Sequence, residues 1–142
     1  MRPFQIVVDT NVLVSGLRSK FGASYKLLAM LKDERWQINV STTLVFEYEE
    51  VLKRERDVLA LSLQDIDDLW DGLCAIANLR SIFYLWRPTA RDPDDDFLID
   101  LAVEAQADFI ISFNKKDLLQ AERFGIVILT PKEFLQRVGE IQ

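Results

Sequence analysis

The chain has 142 residues, a length that suits one domain with its own core, so we expect residues 1–142 to fold as a single unit. It carries 17 basic and 23 acidic residues, and this net charge of -6 argues against binding nucleic acid mainly through a broad basic surface. Because there is no histidine, Ser-His-Asp catalysis, Cys-His catalysis and histidine-ligated zinc are excluded. An enzyme of this composition has to rely on carboxylates with a hard metal ion.

The cellular setting is suggested by what the sequence lacks. The N-terminal segment has no signal-peptide core, and nowhere do about 18 apolar residues follow one another, so we expect a cytoplasmic protein with no membrane contact. Cys74 is the single cysteine, which excludes a disulfide within the chain, and its apolar helical surroundings predict a small buried residue.

The first apolar run places a carboxylate at its end. Ile6, Val7 and Val8 are β-branched and consecutive, which predicts a strand that is covered on both faces of a parallel sheet. Asp9 follows at once, and ligands of open α/β sheets bind at the carboxyl ends of strands, so Asp9 is a candidate site residue. The alternative is that Asp9 or Thr10 only caps the helix that follows.

Strands and helices alternate along the rest of the chain. The pattern predicts strands at residues 4–8, 38–40, 82–86, 109–111 and 126–129, separated by helices, with capping boxes at Ser62 and Thr130. We therefore predict an α/β fold: a three-layer α/β/α sandwich around a mainly parallel sheet of roughly five strands.

The helix predicted at residues 43–55 carries three glutamates in its middle, Glu47, Glu49 and Glu50. Glu50 lies opposite the apolar face, whereas Glu47 and Glu49 each lie about 100° from the centre of that face, on opposite flanks. Periodicity therefore does not decide which of the two reaches towards a site, and either can be an ordinary flanking residue.

The densest acidic cluster comes before the helix that continues to about residue 105. Asp92 as N-cap, Pro93 at the first helical position and Asp95 in the first turn are good helix-start residues. They leave Asp94 and Asp96 unexplained, and such crowded carboxylates either lie in solvent or are neutralised by a cation.

Further polar groups follow the strand predicted at residues 109–111, among them Asn114 and Asp117. Several carboxylates that converge at one sheet edge without histidine suit Mg²⁺ or Mn²⁺. Such ions activate water and stabilise charge on phosphate, so the expected reaction is hydrolysis of a phosphate ester.

Four segments, in order, resemble the PIN-domain (PilT N-terminus) family of metal-dependent ribonucleases. They are Val-Val-Asp-Thr-Asn-Val-Leu, the helix that bears Glu47, Asp-Pro-x-Asp-Asp before a helix, and Phe-Ile-Ile-Ser-Phe-Asn-Lys-Lys-Asp-Leu. The resemblance covers residues 4–134. It implies a PIN-like fold and cleavage of single-stranded RNA with Mg²⁺ or Mn²⁺.

The resemblance also assigns the acidic residues. Asp9 becomes the first metal ligand and Glu47 the second, which breaks the tie with Glu49. Asp95 becomes the third, with Asp96 close behind because the register across three aspartates is uncertain, and Asp117 is a further acidic position.

Other positions are expected to orient the site or to bind RNA. By the same resemblance Asn11, Ser112 and Asn114 orient it; Ser112 stands where Thr is usual, and Asn114 where many members have Asp. Phosphate contacts are expected from nearby loop cations. These are Arg87, Arg91, Lys115 and Lys116.

Many small members of the family are VapC-like toxins that dimerise and are blocked by a small antitoxin, so the resemblance implies a homodimer with RNA and an antitoxin as partners. One alternative is a catalytically impaired PIN-like module that binds RNA or another partner, and Asn114 favours it. Another is a haloacid-dehalogenase-like phosphohydrolase with Asp9 as nucleophile. The order of motifs argues against that enzyme, since the aspartates precede Lys115 and Asn11 replaces its general-acid aspartate.

Overall fold

A parallel sheet forms the centre of the structure, a computed structural model that describes residues 2–81 and 96–142. Its strands in the described ranges are β1 (Phe4–Val8), β2 (Trp36–Val40), β3 (Asn78–Leu79), β4 (Phe109–Ile111) and β5 (Val127–Leu129). They lie in the order β3-β2-β1-β4-β5, and every neighbouring pair is parallel. The predicted three-layer α/β architecture with a mainly parallel sheet is confirmed.

The central strand is β1, as its apolar run predicted. Ile6 and Val7 are completely buried, because β1 pairs with β2 on one side and β4 on the other. In the β1–β4 register Val8 lies beside Ile111, so the residues that follow these two positions leave the sheet next to one another.

The helices connect successive strands. They are α1 (Thr10–Arg18), α2 (Ala23–Ala29), α3 (Thr42–Glu55), α4 (Leu63–Ile76), α5 (Asp96–Glu104), α6 (Lys115–Leu118) and α7 (Pro131–Arg137), with a 3-10 helix at Leu119–Phe124 directly after α6. The capping boxes predicted at Ser62 and Thr130 are both present. None of the helices in the described ranges is long and apolar enough to cross a membrane.

The edge strand beside β2 is one that the sequence did not predict. The strand predicted at residues 82–86 lies outside the described residues, whereas β3 follows α4 directly and pairs Asn78 with Asn39. Polar side chains hold this edge: Gln37 Nε2 donates to Asn78 Oδ1 at 3.1 Å, and Arg80 Nε donates to Asn39 Oδ1 at 2.9 Å. A two-residue strand stabilised by amides has no apolar run to reveal it.

The prediction that Cys74 is buried is wrong, because Cys74 is exposed. Leu73 and Ile66 form the buried stripe of α4, and Cys74 is one residue further on, about 100° around the helix.

Candidate active site

Asp9 lies at the junction of β1 and α1. Its N–H donates to the Ile111 carbonyl at 2.9 Å, which extends the β1–β4 pairing by one residue, and its own carbonyl accepts from Val12 N at 3.0 Å. The residue occupies the N-cap position of α1, yet its side chain makes no capping hydrogen bond. Instead Asp9 Oδ2 accepts from Ser112 Oγ at 2.6 Å, and only 6% of the residue is exposed. The carboxylate is therefore directed towards the β4 side of the sheet edge.

The surroundings of the Asp9 carboxylate disfavour its ionised form. Burial raises the pKa of Asp9 above its ordinary value, the hydrogen bond from Ser112 lowers it, and the nearby negative charge of Glu47 raises it again. Burial and a like charge both disfavour the ionised form. A cation bound between the two carboxylates would offset both effects.

Ser112 links the ends of β1 and β4. It is completely buried, its hydroxyl donates to Asp9, and the same oxygen accepts from Asn114 N at 2.9 Å. A serine hydroxyl has one hydrogen, so with the Asn114 amide on one lone pair the proton is committed to the Asp9 carboxylate. Asn11 Oδ1 also accepts from Phe113 N, over a long 3.5 Å.

Glu47 reaches the same edge from α3. It is half-buried, and its Oε2 accepts a hydrogen bond from the hydroxyl of the buried Thr10. Glu49 instead pairs with Lys53 Nζ at 2.6 Å along the exposed side of α3. The structure thus separates the two glutamates that periodicity left tied.

Tyr48 fixes the position of α3. Its buried hydroxyl donates to the carbonyl oxygen of Val8, the residue before Asp9. Burial and the carboxylates of Asp9 and Glu47 hold the pKa of Tyr48 well above its ordinary value, so the phenol keeps its proton and remains a donor. Thr10 and Tyr48 were not predicted as site residues, because their roles depend on hydroxyl positions that a periodic pattern does not contain.

Asp96, one of the two candidates for the third acidic residue, lies on α5. Asp96 begins this helix and is only 2% exposed. The helix packs against β1, α3 and β4, the same elements that bring Asp9, Glu47 and Ser112 to the edge. Asp100 follows one turn later and is equally buried. An acidic residue in the middle of the apolar run from Phe97 to Val103 was a signal that sequence reasoning did not use.

Other predicted residues lie further from this cluster or outside the described ranges. Asp95, Arg87 and Arg91 fall outside the described residues. Asp117 is half-buried on α6, and within the described ranges no hydrogen bond joins its carboxylate to Asp9 or Glu47.

The two lysines of α6 differ from each other. Lys115 Nζ contacts Glu133 Oε1 at 2.8 Å and is half-buried, whereas Lys116 is exposed. Asn114 is also exposed, and the contribution it makes to the site is its backbone N–H to Ser112.

The donor set at this edge fits a hard divalent cation. Within residues 2–81 and 96–142, no three carboxylate or thiolate side chains already form a metal-binding group. Mg²⁺ is usually held by only one or two protein carboxylates, with water and substrate oxygens for the rest. Asp9 and Glu47 supply two such carboxylates close enough to repel each other.

Comparison with known proteins agrees with this geometry. A search of curated protein sequences found no match. A family model described as the PIN domain matches residues 5–116, from β1 into α6, and the matched range includes Asp9, Glu47 and Ser112. Because the match spans well over half of the 142 residues, this chain belongs to the PIN-domain family.

Proposed function

We propose that this protein is a metal-dependent endoribonuclease that hydrolyses phosphodiester bonds of single-stranded RNA, with Mg²⁺ or Mn²⁺ as its cofactor. PIN domains are typically nucleases, and those nucleases generally use divalent metal ions. The observation that carries the proposal is the pair of carboxylates at the sheet edge. Asp9 and Glu47 repel each other, and each is held by a hydroxyl from another part of the chain, Ser112 or Thr10.

In this proposal Asp9, Glu47, Asp95 and Asp96 hold the ion, and Asp117 is a further acidic residue of the site. When bound, the ion supplies an activated water and neutralises charge that develops on the phosphate. The protein contributes carboxylates whose positions are set before substrate arrives, so little reorganisation is needed during the reaction.

The neighbouring polar residues hold that arrangement. Ser112 keeps the Asp9 carboxylate turned towards β4, while Asn11 and Asn114 connect the loop after β4 to the start of α1 and to Ser112. A carboxylate held in one rotamer binds a cation with less loss of side-chain entropy.

Loop cations would then hold the RNA backbone. Lys116 is exposed and suited to bind phosphate, whereas Lys115 would have to share its ammonium group with Glu133. We propose Arg87 and Arg91 for the same role from their place in the sequence.

The biological role in this proposal rests on the family resemblance. We propose a cytoplasmic toxin of a toxin-antitoxin pair, in which residues 1–142 form one nuclease domain that acts as a homodimer and is blocked by a small antitoxin protein.

The alternative is an impaired PIN-like module that binds RNA or another partner without cutting it. Asn114 favours it, because this residue stands where many members of the family carry an aspartate. An amide is a neutral and weaker ligand than a carboxylate, so a second metal ion would bind poorly.

Incubation of the purified protein with a varied pool of single-stranded RNA and Mn²⁺ or Mg²⁺ separates the two functions. We expect cleavage that EDTA stops and that Asp9→Asn and Glu47→Gln abolish. Glu49→Gln is the matched control. It is the same substitution on the same helix, but Glu49 pairs with Lys53 on the exposed side of α3. The Glu49→Gln variant should therefore cleave RNA as wild type does. An RNA pool that is bound but left intact with either metal would favour the impaired module.

A further inference from the structure

The loop after β4 holds an exposed aromatic ring one residue after Ser112. Phe113 is 49% exposed, although Ser112 before it is completely buried. Its backbone is held at both ends: Phe113 N donates to Asn11 Oδ1, and Asn114 N donates to Ser112 Oγ. The ring therefore belongs to the residue directly after the one that hydrogen-bonds to Asp9.

The ring shares a surface cavity with cationic and polar groups. This cavity has a volume of about 510 Å³. It is lined by Phe113, Asn114, Lys115, Lys116 and Asp117. Lys115 is engaged by Glu133, so the exposed Lys116 is the ammonium group with more freedom to meet a ligand. An apolar flat face next to a cation suits a nucleotide, whose base is flat and whose phosphate is anionic.

The charge balance of the protein favours a contact of this kind. A single exposed phenylalanine is ordinary on any surface. Here, however, the net charge is -6 and the site itself is acidic, so attraction of phosphates by a broad basic surface cannot provide the binding energy. Stacking of a base on an aromatic ring is independent of charge and supplies affinity where charge does not.

We propose that Phe113 is a base-stacking platform, against which one unpaired nucleobase of the RNA lies while Lys116 contacts a phosphate of the same strand. The proposal rests on the nuclease function above and refines its substrate. A base inside a duplex does not offer its face to a side chain, so the site would select strands that are unpaired at this position.

Binding of a fluorescent single-stranded RNA in EDTA, where cleavage does not occur, tests the platform. We expect Phe113→Ala to weaken binding about 5- to 150-fold, the range of one lost base-aromatic stack. Phe113→Tyr should bind as wild type, and Phe113→Leu should be as weak as Phe113→Ala, because leucine keeps the apolar bulk but has no aromatic face. Phe21→Ala is the matched control. Phe21 is fully exposed in the turn after α1, at the opposite end of that nine-residue helix from Asp9, and its loss should not change binding.

A second measurement locates the stacked base. A series of RNAs carries the fluorescent base 2-aminopurine at a different single position in each. We expect the wild-type protein to quench the fluorescence at one position, and Phe113→Ala to restore it. Unchanged affinity in folded Phe113→Ala, equal binding by Phe113→Leu and wild type, or an equal loss in Phe21→Ala would overturn the platform.

The platform and the nuclease function can fail separately. Phe113-dependent binding by a protein that cuts no RNA would support the platform and contradict the nuclease. If the protein cleaves RNA with metal but Phe113→Ala changes neither KM nor RNA affinity, the nuclease function is supported and the platform is contradicted.

Discussion

Ser112 donates its only hydroxyl hydrogen to Asp9 Oδ2 over 2.6 Å, and both residues are buried at the point where β1 and β4 end. The bond joins residues 103 positions apart in the sequence. A hydrogen bond donated to a carboxylate holds it in one position and favours its ionised form. The contribution of this bond can therefore be tested directly by Ser112→Ala, which removes only the hydroxyl group.

Replacement of Ser112 by alanine should weaken metal binding and cleavage. The change removes a hydrogen bond that lowers the pKa of Asp9 and leaves burial and Glu47 to raise it. We expect a loss of about 10- to 100-fold in Mn²⁺ affinity or in kcat, the range found when a metal ligand loses the side chain that hydrogen-bonds to it. Ser112→Thr keeps the hydroxyl and should retain activity. A Ser112→Ala enzyme with wild-type Mn²⁺ affinity by calorimetry and wild-type kcat would contradict this role.

Loss of the Tyr48 hydroxyl should lower stability. Tyr48→Phe leaves the buried Val8 carbonyl without its phenol donor, and an unsatisfied buried group costs about 1–3 kcal/mol. The free energy of unfolding in urea measures this loss. Tyr25→Phe is the matched control, since Tyr25 is 40% exposed on α2 and should unfold as wild type does. Equal stability of the two variants would mean that the Val8 contact contributes nothing.

Acid should remove the stabilising charge of Glu133. The hydrogen bond from Lys115, followed by the one from the Thr130 amide, lowers the pKa of Glu133 below its usual 4.5. A lowered folded-state pKa stabilises the protein above the unfolded pKa, and this stability is lost as the pH falls through the folded value. Because glutamine also completes a capping box, Glu133→Gln removes only the charge.

We therefore expect Glu133→Gln to be about 0.2–1 kcal/mol less stable at pH 7, as for other exposed ion pairs, and the gap from wild type to close below pH ~4. Urea midpoints measured from pH 7 to pH 3 follow this gap. Glu122→Gln, an exposed change on the 3-10 helix, provides the control and should show no such convergence. A gap that stays constant with pH would rule out the charge as its cause.

Residue type and chain order were sufficient to predict that polar groups follow the ends of β1 and β4. The sequence did not reveal which of them touch. Asp9 meets Ser112 because Val8 lies beside Ile111, and two apolar runs such as these can pair in more than one register without changing their composition.

The choice between Glu47 and Glu49 shows the same limit on a helix. A 100° period places both on the flanks of the apolar face, and only the rotation of α3 about its axis distinguishes them. The Tyr48 bond to Val8 fixes that rotation, and it puts Glu47 beside Thr10. The short strand β3 escaped prediction for a different reason, because its pairing with β2 is supported by amide side chains.

The Thr10 hydroxyl should matter for catalysis through Glu47. Thr10→Val keeps the shape and the helix start but removes the donor to Glu47 Oε2, so the carboxylate gains freedom and its alignment with Asp9 is lost. A misplaced catalytic group costs up to about 100-fold in rate, so we expect kcat to fall between 10- and 100-fold. Since Thr10 holds Glu47 without touching substrate in this account, KM for RNA should stay unchanged and Thr10→Ser should restore kcat. Equal losses in Thr10→Val and Thr10→Ser would show that packing at this buried position, and not the hydroxyl, is what the site requires.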